Sequence, residues 1–349
     1  MSPQSAIRNP RSKILVTGGC GYIGSHTIID LLDNGFEVVS IDNNMRSKPS
    51  VVERIFDITG KRIKNYAVDL CDKHAVRAVL EQEGKIDGII HFAALKSVPE
   101  SVQRPLLYFH NNLDSLINLL DLSAAFGIKD FVFSSSCSVY GNTTELPVTE
   151  NTSLGAAESP YARTKQIGED IIRDHSKTVD TKFILLRYFN PAGAHESGKL
   201  GEDSTDTITA VVPRITGTAI GKFSEFTVFG KDYDTRDGTC IRDYIHVMDI
   251  ANAHTRALQY LVQGKNSNKC EVFNLGTGNG VTVLEAIQSF ERVSGEKLKW
   301  KFGPRRDGDV VSIYANNDKA KNQLGWVINR DLDTMLRTAW VWEKKMAGK

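Results

Sequence analysis

Lys13-Ile14-Leu15-Val16-Thr17-Gly18-Gly19-Cys20-Gly21-Tyr22-Ile23-Gly24 sets the fold of this 349-residue chain. A short apolar run ends in a glycine cluster, and an amphipathic segment, 23–34, opens directly behind it. Glycines at such a junction serve a tight turn, close backbone approach to a pyrophosphate, and close helix–strand contact. The helix start offers free N–H groups and the positive end of its dipole to phosphates. A glycine cluster alone is a weak signal; strand, turn and helix in that order give it meaning. The next strand ends in Asp42, eighteen positions after Gly24, near the spacing of a ribose-binding acid. A carboxylate there accepts from an unsubstituted ribose and repels a 2′-phosphate, which favours NAD over NADP. Arg46, four residues on, partly offsets that repulsion.

Outward from this stretch, apolar runs at 14–17, 38–42, 63–68, 88–92, 131–135 and 183–187 read as strands. Amphipathic segments at 23–34, 74–83, 112–126 and 161–176 read as helices, and Asn34-Gly35 suits the first C-terminus. Strict alternation predicts right-handed βαβ units and an α/β fold: a Rossmann-type parallel sheet with helices on both faces. After about Phe189 the rhythm breaks. Loops at 191–209, 230–239, 277–280 and 303–308 separate shorter elements, which predicts a smaller α/β substrate-binding domain. The expected division is an NAD-binding domain at 12–188, with 240–262 returning to it, and a substrate-binding domain at 189–239 and 263–345.

Composition bounds the function. The chain is 41% hydrophobic and 24% charged, with a net charge of +1, so no global field draws it to nucleic acid. An anionic ligand needs a local site. Five cysteines, at 20, 71, 137, 240 and 270, lack paired spacing, which argues for reduced thiols and against a zinc site. Residues 1–11 are polar and lack the apolar core of a signal peptide, and no run approaches the roughly 18 apolar residues of a spanning helix. The expected compartment is the cytoplasm, with no membrane partner.

The chemistry concentrates at Ser134-Ser135-Ser136, closing the strand at 131–135, and at Tyr161-x-x-x-Lys165, opening a helix after Pro160. The i, i+4 spacing puts phenol and ammonium on one helical face. A nearby cation is expected to favour phenolate, tuning Tyr161 as a general base on a hydroxyl. Ser136, at the C-terminal end of a parallel strand, sits where such sheets bind ligands and can share the transferred proton. His91 and His246, with apolar neighbours, read as buried structural histidines, and Cys137 as a packing residue.

The glycine loop, serine-rich strand end and Tyr/Lys pair together resemble the extended short-chain dehydrogenase/reductase superfamily. Further ordered blocks sharpen the likeness from about residue 13 to 343. His91-Phe92-Ala93-Ala94-Leu95-Lys96, Asn111-Asn112, Val139-Tyr140-Gly141, Arg187-Tyr188-Phe189-Asn190-Pro191, Arg242-Asp243-Tyr244-Ile245-His246-Val247 and Pro304-Arg305-Arg306-Asp307-Gly308-Asp309 resemble the UDP-glucose (UDP-galactose) 4-epimerase family. The resemblance implies Tyr161 as proton acceptor, with Ser136 beside it and Lys165 on the nicotinamide ribose. It implies NAD contacts at Gly18, Gly21, Tyr22, Ile23, Gly24, Asp42, Asn43, Asp69, Leu70, Phe92, Ala93, Lys96, Asn111 and Phe189. Contacts to the UDP-sugar are implied at Lys96, Asn190, Thr227, Val228, Phe229, Arg242, Arg306 and Asp309. Counted without gaps, the resemblance implies Ile313 at the family's gate beside C2 of the hexose, where a bulky Tyr restricts and a small Cys widens sugar scope. A one-residue slip puts Ser312 there and favours the wider scope, and the competing assignment for Ile313 is a core strand residue.

The residues support parts of this directly. Arg242 and Arg306 are fork-shaped donors suited to a diphosphate; ion pairs with Asp243 or Asp307 are the competing assignment. Two positions depart from the family. Thr209-Ala210 stands where paired Asn often precedes an apolar-Pro turn, and Arg46 where another Asn is common. The related dehydratases and decarboxylases resemble Thr-Asp-Glu or Thr-Ser-Glu before Val-Tyr-Gly, because elimination needs an added acid/base. Here the triplet is Ser136-Cys137-Ser138, with no carboxylate. A redox-sensing NAD binder without turnover predicts a damaged Tyr/Lys pair, and both residues are intact. Helices 112–126 and 161–176 resemble those that pair across the family's homodimer.

Overall fold

A computed structural model describes residues 12–203, 205, 208–306 and 310–348; the polar segment 1–11 and Asp309 lie outside the described residues. The first half comprises β1 (Lys13–Thr17), α1 (Tyr22–Asp33), β2 (Glu37–Ile41), α2 (Val51–Thr59), β3 (Lys64–Tyr66), α3 (Lys73–Glu83) and β4 (Gly88–His91). Next come α4 (Val98–Gln103), α5 (Pro105–Phe109), α6 (Ser115–Ala125), β5 (Asp130–Ser136), α7 (Pro160–Ser176) and β6 (Lys182–Tyr188). Shorter elements follow: β7 (Asn190–Ala192), α8 (Val211–Ala219), β8 (Phe226–Phe229), β9 (Ile241–Arg242) and β10 (Tyr244–His246). The remainder is α9 (Val247–Val262), β11 (Cys270–Leu275), β12 (Val281–Thr282), α10 (Val283–Ser294), β13 (Trp300–Gly303), β14 (Ser312–Ile313) and α11 (Leu332–Met346).

The main sheet has seven parallel strands in the order β3-β2-β1-β4-β5-β6-β11. Its order reverses between β1 and β4, and the crevice outside the C-terminal ends of such strands is where open α/β sheets hold ligands. One sheet face packs on α1 and α9 through Ile28, Leu32, Leu258 and Phe273. The other packs on α3, α6 and α7 through Val76, Leu119, Phe131 and Ile172. A separate core joins α8, α10 and α11 through Ile215, Phe290 and Leu336, beside the short parallel pair β8–β13. Sequence-encoded caps fix the helix starts: Asp72 accepts from His74 and Ala75 N–H, Ser159 from Ala162, and Asp331 from Thr334.

All six expected strand runs are present. The seventh strand, β11, was assigned to the substrate part by sequence; it instead pairs with β6 at the sheet edge. Expected helix 112–126 begins within a wide π-type turn, His110–Asp114, before α6 proper. No helix among the described residues is long and apolar enough to cross a membrane.

Candidate active site

The glycine turn joins three strand ends. Gly18 adopts φ +69°, and a Cβ there would lie 2.8 Å from the Ala93 amide nitrogen, so the chain after β4 crosses the turn backbone to backbone. A Cβ on Gly24 would collide with the Gly18 carbonyl. Gly21 is the N-cap of α1 and has no side chain to occupy the first-turn amides of Tyr22, Ile23 and Gly24. Asp42 binds this turn to the end of β2. One oxygen accepts from Cys20 N–H at 2.9 Å, the other from Asn44 N–H and the Ser47 hydroxyl, each at 2.9 Å.

The other expected cofactor residues ring this turn by different means. Tyr22 turns its phenol away, donating to the Gly193 carbonyl at 2.6 Å. Asn43 and Asp69 are exposed, and each accepts from an amide two residues on, Met45 and Cys71. Leu70 is buried in the core, and its carbonyl accepts from Asn118. Phe92 packs its ring 4.5 Å from that of His254. Asn111 donates to Asn112, whose amide clamps both Leu95 backbone groups at 2.8 and 3.0 Å and reaches Thr164 on α7. Sequence reading quoted the Asn111-Asn112 pair but missed this bracing of Leu95, next to Lys96. Arg46 is turned toward α4, where it donates to Glu100 at 2.6 Å.

Ser136, Tyr161 and Lys165 converge at the C-terminal end of β5. The Ser136 hydroxyl accepts from the Ser138 hydroxyl and amide at 3.0 and 3.2 Å. Burial raises the Tyr161 pKa; the nearby Ser136 hydroxyl and the charge of Lys96 oppose it. Lys165 is held against the strand that ends at Ser136. Its Nζ donates to the Ser134 carbonyl at 2.6 Å and lies 4.9 Å from the Phe133 ring centre. Burial pulls Lys165 down to about 8, against the Glu169 carboxylate, which raises it. The charge of Lys96, which pairs with Glu202 at 3.0 Å, works to lower the Tyr161 pKa against the effect of burial.

Glu169 was not singled out from sequence. It continues the i, i+4 row of Tyr161 and Lys165, and it accepts from Ser135 at 2.5 Å and from Arg187 at 2.8 and 2.6 Å. Burial works to raise its carboxyl, and Arg187 with Ser135 outweighs that and holds it low. An acid at a buried helical position was the available signal. His91 and His246 are structural, as expected: burial lowers both to about 3, His91 meets Thr17, and His246 caps α9.

A cleft of about 260 Å³ opens between β8, α8 and the loop before β14. Thr227 and Phe229 line it, while Val228 alternates into the core and leaves only backbone for the cleft. Arg242 and Arg306 line it too. The competing ion pair of Arg242 with Asp243 does not form: that carboxylate accepts from Thr277, Gly278 and Ala315. Arg242 donates instead to the Ile241 and Val310 carbonyls, and Arg306 stacks 4.1 Å over Phe229. Asn190 N–H donates to the Asp243 carbonyl at 2.9 Å. Phe189 and Ile313 are buried together in one cluster with Val139 and Tyr140, and Ile313 pairs in register with Arg242.

A profile of the family described as GDP-mannose 4,6 dehydratase matches residues 15–339. The UDP-glucose 4-epimerase of Bacillus subtilis is 45% identical over 95% of this chain and 96% of its own length. The fold superposes with TM-score 0.93 on the UDP-glucose 4-epimerase of Stenotrophomonas maltophila, solved with bound NAD and formylated UDP-arabinopyranose. That protein is 44% identical over 97% of this chain and 99% of that one. The Bifidobacterium longum enzyme, solved with NAD+ and UDP, gives a TM-score of 0.90 at 42% identity, covering 95% and 98%. With a seven-stranded parallel sheet, a glycine turn at its switch point and identity at this level over nearly all its length, the chain belongs to the UDP-glucose 4-epimerase family of extended short-chain dehydrogenase/reductases.

Proposed function

We propose that the chain is an NAD-dependent 4-epimerase interconverting UDP-glucose and UDP-galactose. The observation that carries this reading is the gathering of Tyr161 and Lys165, on the first turns of α7, with Ser136 where β5 ends beside the switch-point crevice. The residues present fit the cofactor: Gly18 and Gly24 leave a cradle that a Cβ would fill, and Asp42 is held rigidly at the end of β2. In this reading Tyr22, Ile23 and Gly24 offer amides to the pyrophosphate, and Gly21, whose own N–H donates to the Gly18 carbonyl at 3.0 Å, lets it approach the backbone. Asp42 and Asn43 hold the adenosine ribose. Asp69, Leu70, Phe92, Ala93, Asn111 and Phe189 border the rings, and Lys165 holds the nicotinamide ribose. When bound, NAD supplies the hydride acceptor and donor that takes C4 between alcohol and ketone.

Tyr161 takes the proton of the C4 hydroxyl and gives it back after the sugar has turned to present its other face. Ser136 shares that proton, and Lys96 favours the phenolate. Arg242, Arg306 and Asp309 grip the nucleotide, with Asn190, Thr227, Val228 and Phe229, so the transient 4-keto hexose turns without leaving. Residues 12–188 with 240–262 form the proposed cofactor part, with β11 added to its sheet; 189–239 and the rest of 263–345 form the nucleotide part. A homodimer through 112–126 and 161–176 is proposed, supported by exposed Ile117 on α6. The proposed compartment is the cytoplasm.

NMR of UDP-galactose incubated with purified protein and no added cofactor tests the reading. Conversion to UDP-glucose is the expected result. Dependence on stoichiometric added NAD, with NADH and a 4-keto product accumulating, identifies a dehydrogenase and sinks the proposal.

A further inference from the structure

The described residues lining the nucleotide cleft include three guanidiniums, Arg214, Arg242 and Arg306, and no carboxylate. The chain as a whole carries only +1, so an anion here has to be held by local groups such as these. Arg242 and Arg306 are already accounted for by the proposed function, on which this inference rests; Arg214 is not. It lies in the first turns of α8, one turn beyond Ala210, an N-cap with no side-chain donor. Its guanidinium is stacked 3.7 Å over the Phe223 ring, which fixes the plane of its fork. Among the described residues no hydrogen bond or carboxylate engages that guanidinium, and the side chain is half-buried. A cation held on an aromatic face, with its N–H edges uncommitted and a cleft in front of it, is preorganised for an anion. Arg306 repeats the arrangement over Phe229 on the same cleft.

We propose that Arg214 is a third diphosphate-binding guanidinium, a residue specific to nucleoside diphosphates in this cleft. Two anionic phosphates facing three cations are electrostatically matched, whereas an uncharged nucleoside gains little from the third. Ala210 offers the nucleotide no side-chain donor, and Arg214, one turn on, provides one from the same helix.

Calorimetric binding of UDP and of uridine to the purified protein tests this, using wild type, Arg214→Ala, Arg214→Lys and, as a reference, Arg306→Ala. Arg214→Ala is expected to weaken UDP about tenfold, the loss of one charge-assisted contact. Arg214→Lys should recover part of that, the UDP deficit should shrink at high salt, and uridine should be little changed. A thermal melt accompanies each variant, since Arg214 also packs on Phe223. Wild-type UDP affinity in Arg214→Ala, or equal weakening of uridine, overturns the assignment while leaving the epimerase reading intact. Failure of the wild-type protein to bind UDP at all overturns both.

Discussion

Glu169 on α7 and Arg187 on β6 meet at 2.6 Å with side chains 0% and 2% exposed, behind the strand end that carries Ser136. The same carboxylate takes the Ser135 hydroxyl, so one buried charge braces both neighbours of the strand's last residues. Arg187 also donates to the Tyr140 phenol at 3.0 Å. Replacing Glu169 with Ala leaves a buried guanidinium uncompensated. We expect a stability loss of about 3 kcal/mol or more, read by urea unfolding. A loss below about 1 kcal/mol would show that the Tyr140 oxygen suffices for Arg187 and that the pair is incidental.

Tyr161→Phe removes the hydroxyl assigned to the proton and little else. The variant should fold, retain NAD, and lose turnover by roughly 10²- to 10⁴-fold, the usual contribution of a placed acid/base. Cofactor content by absorbance separates this from a binding defect. Near-normal epimerisation would remove Tyr161 from the reaction.

The parts of this molecule that repeat were legible in the sequence. Apolar runs and amphipathic gaps located β1 through β6, and the glycine turn with Asp42 located the switch point. β11 was missed because Glu271 and Asn274 break its apolar run. Both are buried, but Asn274 bonds Tyr140 and Glu271 takes the amides of Ser267 and Asn268, contacts no local pattern announces. Tyr161 and Lys165 were found by spacing. The i, i+4 rule puts two side chains on one face but does not say that Lys165 reaches under β5 to the Ser134 carbonyl. Nor does it point to Lys96, far away in sequence, whose charge works to lower the Tyr161 pKa.

Acid should unfold this protein early. Burial lowers His26 and His254 to about 4 and His91 and His246 to about 3, each from 6.5. The unfolded chain therefore binds more protons than the native one as pH falls below 6.5, and stability drops through the window down to about 4. At pH ~5 each histidine costs about 2 kcal/mol. Asp130, raised to about 6 by burial, works the other way, as do Asp30, Asp243 and Asp249, which burial also raises. Urea unfolding at pH ~7 and ~5 should show a net loss of stability at the lower pH. An unchanged or higher free energy at pH ~5 would mean that the imidazoles do not outweigh these carboxyls.

Sugar scope is the finest prediction, and it rests on Ile313. The family resemblance puts this position beside C2 of the hexose, and Ile313 is 6% exposed, packed with Phe189, Val139 and Tyr140. A branched, stiff side chain there removes the aromatic wall of a Tyr without clearing space for an acetamido group. We expect efficient turnover of UDP-glucose and UDP-galactose, with weak turnover of UDP-N-acetylglucosamine. Ile313→Cys should raise the N-acetylated activity relative to the plain hexoses. Ile313→Tyr should lower it further, at a cost of about 1–3 kcal/mol because the cluster has no room for a larger ring. Turnover of both sugar pairs by the three proteins, with their melting temperatures, decides the matter. A preference unchanged across all three, while stability shifts, would make Ile313 a core residue and place the gate elsewhere.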